Sequence, residues 1–161
     1  MYTNLILDVD GVLTTGQFVY TIDGKFSKTF GPHDNDGIKL LRDKLKVCAI
    51  TADYRGYEIS RKRIVDDMGL QLTLVSEKDR LNWITEHFDL SKTIYMGDGM
   101  HDAKIFEHVA YSIAPANAFY TAKEKAKFVT QSKSGEGAVG EACLHILTLL
   151  EEQSKLQPNC F

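Results

Sequence analysis

Short apolar runs recur along the chain, and stretches of helical periodicity separate them. The runs are typical of buried strands and cover Leu5–Leu7, Val47–Ile50, Leu70–Val75, Thr93–Met96 and Tyr111–Ile113. Between and after them, apolar residues at helical spacing predict five helices. One begins at Asp36-Gly37, one contains Leu81, Ile84 and Phe88 on one face, and the others cover 57–68, 102–108 and 140–150. This order of elements predicts an α/β fold, a doubly wound parallel sheet with helices on both faces.

A different pattern, the alternation of apolar and polar residues, precedes the first helix. Gln17–Ile22 and Lys25–Phe30 both alternate, and they flank Asp23-Gly24, a dipeptide typical of tight hairpin turns. We therefore predict a small β-hairpin insertion over about 16–31.

Length and composition are those of a single globular domain. The chain has 161 residues, of which 43% are hydrophobic and 25% charged. We expect one domain over 1–152 and a polar C-terminal tail over 153–161. The net charge of -3 gives no reason to expect nucleic acid or a membrane surface as a partner. The three cysteines lack metal-ligand spacing, which favours reduced thiols in a cytoplasmic protein.

The first strand runs directly into two carboxylates, Asp8 and Asp10, and then into Gly11. The glycine allows the backbone to turn sharply, so both side chains can reach one pocket. Two carboxylates held close together repel each other unless a cation or a proton lies between them. The pair therefore indicates a metal site, acid/base chemistry, or both.

Polar groups also follow the other strands. Thr51 ends the second strand, Lys78 follows the third after a short loop, and Asp98 and Asp102 follow the fourth. In a doubly wound sheet these strand ends meet at one edge, which is where ligands bind. Carboxylates, a hydroxyl and an ammonium together suit Mg²⁺ and a phosphoryl group, whose oxygens Thr51 and Lys78 would bind. Helical periodicity leaves Arg80 as an alternative to Lys78.

These four segments resemble the four motifs of the haloacid dehalogenase superfamily of phosphatases, and the resemblance covers essentially the whole chain. It implies that Asp8 is the nucleophile that forms an aspartyl-phosphate and that Asp10 is the general acid and base. It also implies that Mg²⁺ is held by Asp8, by the backbone carbonyl of Asp10 and by Asp98, with Asp102 supporting the metal.

Further segments resemble one small subfamily, the capless phosphatases of 3-deoxy-D-manno-octulosonate 8-phosphate and 2-keto-3-deoxy-nononate 9-phosphate. They are the hairpin, the Asp34-x-x-Gly37 segment after it and the late stretch 134–139. The resemblance implies a fold without a large cap domain and a small phosphorylated sugar acid as substrate. It also implies a homotetramer, paired through the hairpins, in which a neighbouring subunit closes each active site.

The chain departs from the subfamily's pattern at three sets of residues, and its region between the third and fourth motifs is a few residues short. Thr51-Ala52-Asp53 replaces Thr-Gly-Arg, Gly99 replaces a second Asp, and Gly140 replaces an Arg. The Arg missing at position 53 helps to hold substrate in the subfamily, and Arg55 is a candidate substitute. His33 and His101 are further candidates for substrate contact.

Three other functions stay open at this point. One is a phosphatase for a different phosphorylated metabolite. Another is a non-catalytic oligomerisation module, which the retention of both Asp8 and Asp10 disfavours. The last is a signalling receiver domain, which is disfavoured because no acid ends the third strand.

Overall fold

The computed structural model describes residues 1–156. Eight strands follow one another along the chain: β1 (Asn4–Asp8), β2 (Thr14–Thr21), β3 (Gly24–Phe30), β4 (Lys46–Thr51), β5 (Gln71–Leu74), β6 (Thr93–Met96), β7 (Tyr111–Ala114) and β8 (Phe128–Val129). Six of them form a parallel sheet in the order β5-β4-β1-β6-β7-β8, and β2 and β3 form a separate antiparallel hairpin. The chain thus moves outward from β1 in one direction and then in the other, as a doubly wound sheet requires.

Five helices lie between the strands in the chain, and a sixth follows the last strand. They are α1 (His33–Leu41), α2 (Tyr57–Arg61), α3 (Arg80–His87), α4 (Asp102–Phe106), α5 (Tyr120–Lys125) and α6 (Ala138–Lys155). The wider, π-type turns of Lys62–Asp67 continue α2, so this helical segment ends just before Gly69 as predicted. The predicted α/β class, the parallel sheet and the small hairpin are confirmed.

The central strand β1 divides the core into two layers because successive side chains of a strand point to opposite faces. Leu5 and Leu7 pack in the layer that contains α1 and α6. Ile6 packs in the layer that contains α3 and α4. All three side chains are buried, which fixes β1 rigidly between β4 and β6.

Some element boundaries differ from the sequence predictions. Helix α1 begins at His33 and not at Asp36, because Pro32, which lacks an N–H, can precede the first turn without leaving a donor unpaired. Helix α6 extends over Ala138–Lys155 and is longer than 140–150. The division at residue 152 stays a prediction, and residues 157–161 of the expected tail lie outside the described residues. Among the helices described, none combines the length and the apolar character needed to cross a membrane.

Candidate active site

The carboxyl ends of β1, β4 and β6 meet at one edge of the sheet. Asp8 is the last residue of β1, Thr51 the last of β4, and Asp98 follows β6. They line a cavity of about 670 Å³ together with residues of the hairpin and of the loops after β4 and β5. The strand order therefore brings together the polar groups that the sequence places far apart.

The turn after β1 requires glycine at position 11. Gly11 has a φ of +89°, and a Cβ there would lie 2.0 Å from a carboxylate oxygen of Asp98. The hydroxyl of Thr14 accepts hydrogen bonds from the N–H groups of Gly11 and Gly16, at 3.2 and 3.1 Å, and holds the turn in place. The missing side chain of Gly11 thus makes room for the Asp98 carboxylate beside Asp8.

Three carboxylates crowd together at this edge. Asp8, Asp98 and Asp102 each offer an oxygen, and these oxygens lie within 4.8 Å of one another. Burial raises the pKa of Asp8 well above its usual value. Burial, reinforced by the negative charge of Asp102, raises the pKa of Asp98 to about 7. Repulsion of this kind is relieved by a cation, and an all-oxygen donor set fits a hard divalent cation such as Mg²⁺.

Asp102 is the most fully hydrogen-bonded member of the three. Its Oδ2 accepts from the backbone N–H groups of Asp98 at 3.0 Å and of Gly99 at 2.8 Å. Its Oδ1 accepts from the hydroxyl of Tyr95 at 2.6 Å and from Arg80 at 3.0 Å. With both oxygens engaged, Asp102 is placed to orient the Asp98 loop and Arg80.

Arg80 is the cation that contacts the carboxylates. It is 3% exposed, and its Nη2 lies 3.2 Å from Oδ1 of Asp8. Burial alone would lower the pKa of Arg80, but Tyr95, Asp8 and Asp102 together raise it. Lys78, in the turn before α3, is exposed and is not among the residues that line the cavity. Of the two cations that the sequence left open, the structure brings Arg80 to Asp8.

The carboxylate of Asp10 is paired with a lysine of the hairpin. The ammonium of Lys28, on β3, lies 2.9 Å from both Asp10 oxygens. The hydroxyls of Thr51 and Thr14 lie 3.5 Å from the same carboxylate. Asp10 is therefore next to Asp8 in the cavity, but its side chain is in a cationic environment of its own.

Comparison with known proteins identifies the family. Residues 79–142 match the family model of haloacid dehalogenase-like hydrolases. A 3-deoxy-D-manno-octulosonate 8-phosphate phosphatase of Haemophilus influenzae is 34% identical over 146 residues, which are 85% of this chain and 78% of that protein. The chain belongs to the haloacid dehalogenase-like hydrolases. It is a phosphatase, as the sequence motifs predicted.

Solved structures have the same fold. The cobalt-bound form of the deoxy-D-mannose-octulosonate 8-phosphate phosphatase of Haemophilus influenzae is 30% identical, with a TM-score of 0.80 over 98% of this chain and 94% of that one. The 3-deoxy-D-manno-octulosonate 8-phosphate phosphatase of Yersinia pestis is 29% identical, with a TM-score of 0.79 over 93% and 83% of the two chains.

Basic and aromatic side chains line the outer part of the phosphatase's cavity. Arg55 and His101 line it, whereas His33 lies at a separate cavity between α1 and α6. The guanidinium of Arg55 lies 5.0 Å from the centroid of the Tyr54 ring. Aromatic residues of the hairpin, Phe18 among them, complete the wall. This wall is where the part of a substrate beyond its phosphate would lie.

Two polar residues of the phosphatase's site, Tyr95 and Lys28, have no signal in the sequence. Tyr95 is fully buried inside β6, where an apolar run predicts only packing. Lys28 belongs to the hairpin, whose apolar residues predict a contact between subunits and not a part of the active site. Neither residue has a neighbour in sequence that would mark it, because the partners of both lie on other elements.

Proposed function

We propose that the chain is a Mg²⁺-dependent phosphomonoesterase that acts on a small sugar phosphate through an aspartyl-phosphate. Its substrate class is the phosphorylated keto-deoxy sugar acids of eight or nine carbons. The observation that carries the proposal is the cluster of Asp8, Asp98 and Asp102 around one point, with Arg80 against Asp8 and with Asp10 beside it.

In the first half of the reaction Asp8 is the nucleophile. One carboxylate oxygen of Asp8 forms a bond to phosphorus while the ester P–O bond breaks, and the electron pair of that bond leaves with the alcohol oxygen. Asp10, which enters this half as the carboxylic acid, gives its proton to that oxygen and becomes a carboxylate, so the alcohol leaves neutral. Nη2 of Arg80, which lies at Asp8, would face the oxygens of the transferring group, on which negative charge accumulates.

In the second half Asp10, now a carboxylate, accepts a proton from a water molecule. The water oxygen bonds to phosphorus, the P–O bond to Asp8 breaks, and Asp8 recovers its carboxylate. The hydroxyl of Thr51, at the carboxyl end of β4, would donate to a phosphoryl oxygen. The sum of both halves is phosphomonoester plus water giving alcohol plus phosphate.

Asp8, Asp98 and the backbone carbonyl of Asp10 would hold the metal, with Asp102 supporting it. The oxygen donors and the space left by Gly11 support this assignment. When bound, Mg²⁺ neutralises the charge that builds up between phosphate and nucleophile. The relative from Haemophilus influenzae was solved in a cobalt-bound form, which supports a divalent metal as the cofactor.

Two features support a sugar acid as substrate. The relatives from Haemophilus influenzae and Yersinia pestis act on 3-deoxy-D-manno-octulosonate 8-phosphate by name. In addition, Arg55 gives the outer wall a cation for a sugar carboxylate, in place of the arginine that Asp53 replaces.

We also propose a homotetramer paired through the hairpins. Ile22 and Phe26 are 101% and 68% exposed, and Tyr20 and Val19 are also exposed. Such an apolar patch is unusual on a monomer and typical of an interface. A neighbouring copy seated on it would lie beside the cavity, because Phe18 and Tyr20 line that cavity as well.

The test is a hydrolysis assay on a panel of sugar phosphates that includes eight- and nine-carbon keto-deoxy acids and matched neutral sugars. We expect phosphate release that requires Mg²⁺, stops with a chelator and is fastest for the sugar acids. Asp8→Asn serves as the matched control for a contaminating phosphatase. Release that Asp8→Asn retains, or that needs no metal, would refute the proposal.

A further inference from the structure

Lys28 has no role in the proposed reaction, although it contacts a residue that has one. We propose that Lys28 is a positioning residue, which holds the carboxylate of Asp10 in line with the leaving oxygen of the substrate. The inference rests on the proposed phosphatase reaction and adds a residue of the hairpin to it.

The ammonium of Lys28 is fully engaged. It lies 2.9 Å from the oxygens of Asp10, 2.8 Å from Oδ2 of Asp53 and 2.8 Å from Oγ of Ser60. An ammonium group has three protons, so these partners satisfy all of its donors. With three fixed partners on three different segments, the Lys28 nitrogen is held at one point, and Asp10 is held through it.

The site around this nitrogen is built for it. The Lys28 side chain is 0% exposed, and that of Lys25 is 4% exposed. Lys25 lies 2.5 Å from Asp53, so two lysines face the two carboxylates of Asp10 and Asp53. Burial alone would raise the pKa of Asp53, but its hydrogen bonds from both lysines lower it. Charge is therefore balanced within the group, which allows its burial.

The backbone leaves space for the same group. A Cβ on Gly56 would lie 2.3 Å from Oδ2 of Asp53 and 2.6 Å from Cε of Lys28. Glycine at this position lets the loop after β4 close onto the hairpin and lets Asp53 reach both lysines.

Asp10 depends on Lys28 more than on its other contacts. The hydroxyls of Thr14 and Thr51 lie 3.5 Å away, at the far end of hydrogen-bond length. Lys28 is not among the residues that line the cavity. It acts on the substrate only through Asp10, which makes it a positioning and not a catalytic residue.

This role predicts a specific kinetic defect. A general acid matters most when the leaving oxygen would otherwise depart as a strongly basic alkoxide, and little when it departs as a stable nitrophenolate. Displacing Asp10 should therefore slow the release of sugar or alkyl alcohols and spare the release of activated phenols. A lysine that only holds the hairpin in place would slow both equally.

The experiment measures kcat/KM over a series of phosphomonoesters, from 4-nitrophenyl phosphate through phenyl phosphate to alkyl and sugar phosphates. This ratio reports the steps up to departure of the leaving group, so the second half of the reaction does not enter it. For Lys28→Met we expect a loss of about 100-fold on alkyl phosphates and less than about 5-fold on 4-nitrophenyl phosphate. The dependence on leaving-group basicity thus becomes steeper than in the wild-type enzyme.

Lys25→Met is the matched control. It removes a lysine of the same strand whose side chain is 4% exposed and lines the cavity, together with an ion pair to Asp53. Lys25 itself forms no ion pair with Asp10 in the described part of the chain. Lys25→Met can change the overall rate. The dependence of its kcat/KM on leaving-group basicity should nevertheless match that of the wild type. Lys28→Gln, which is neutral but can still donate a hydrogen bond, covers the case in which Lys28→Met does not fold.

Each result decides the matter. The proposal is supported if kcat/KM depends more steeply on leaving-group basicity in the Lys28 variants but not in Lys25→Met. Equal dependence in wild type and folded Lys28 variants overturns it while leaving the phosphatase function intact. Equal steepening in Lys25→Met would also overturn it, since hairpin packing would then be the cause. A wild-type protein without metal-dependent turnover refutes the phosphatase reaction itself and this inference with it.

Discussion

Asp34 gives the sharpest prediction about stability. It is buried in α1, and its Oδ1 accepts a hydrogen bond from the N–H of Gly140, at 3.2 Å, in the first turn of α6. Its Oδ2 is buried without a hydrogen-bond partner in the part of the chain that the structure describes. Burial raises the pKa of Asp34 to about 6, against the opposing effect of the backbone N–H groups of Gly140 and Val139. We predict that replacing it by the neutral isostere, Asp34→Asn, removes a pH-dependent cost.

The magnitude follows from the pKa values of the two states. A rise from 3.8 in the unfolded chain to about 6 in the folded one means that ionised Asp34 costs about 3 kcal/mol of folding free energy. The folded state holds this proton more tightly, so the free energy of unfolding falls as the pH rises through this window and is level above about pH 6. The advantage of Asp34→Asn over wild type should therefore grow by about 2 kcal/mol between about pH 4.5 and about pH 7.5.

The assay is urea unfolding of both proteins at matched concentration across this range, without added metal. The difference between their free energies of unfolding cancels the titration of the acids that do not interact with Asp34. Asp36→Asn is the control, since Asp36 lies on the same helix but is exposed. This reasoning would be refuted if the stability advantage of Asp34→Asn over wild type, measured as the free energy of unfolding, stays constant with pH or grows towards low pH.

Four further predictions concern the site and the hairpin interface. Asp8→Asn should retain less than about 1% of turnover, because an amide is a poor nucleophile, and steady-state phosphate release checks this. Asp98→Ala should weaken Mg²⁺ binding at least about tenfold by calorimetry, whereas Asp10→Asn should keep Mg²⁺ affinity and lose turnover; the reverse pattern would contradict the assigned roles. Arg55→Met should raise KM about tenfold for sugar acid phosphates and leave KM for neutral sugar phosphates unchanged. Ile22→Glu should convert a tetramer into smaller species by light scattering, and a wild-type monomer with full activity would exclude the interface.

Local sequence was enough to determine the sheet and most of its helices. The apolar runs of β1, β4 and β6 are buried on both faces, and a strand buried on both faces has a continuous apolar pattern. It was not enough for α5 and β8. Among the residues of α5 only Ala122 is buried, and β8 has two residues, so neither has a periodicity that could be detected.

In the site, the carboxylates could be predicted from local sequence, whereas the cations could not. Asp8, Asp10, Asp98 and Asp102 lie at or shortly after the ends of buried strands, so the topology of the sheet fixes their meeting point in advance. Arg80 could not be separated from Lys78 by spacing, because the choice depends on where α3 begins. The helix begins at Arg80, and side chains in a first turn lean back towards the N-terminal end, here towards the sheet edge.

The contacts of Lys28 could be found only from the tertiary structure. By alternation it shares a strand face with Phe26 and Phe30, which predicts an apolar position. In the folded chain its ammonium meets Asp10, Asp53 and Ser60, which come from three other segments. The sequence by itself determined the fold and the carboxylates, because local patterns encode the strands and the residues at their ends. The cations were decided only when the fold brought distant segments into contact, because an ion pair between distant residues leaves no periodicity in the chain.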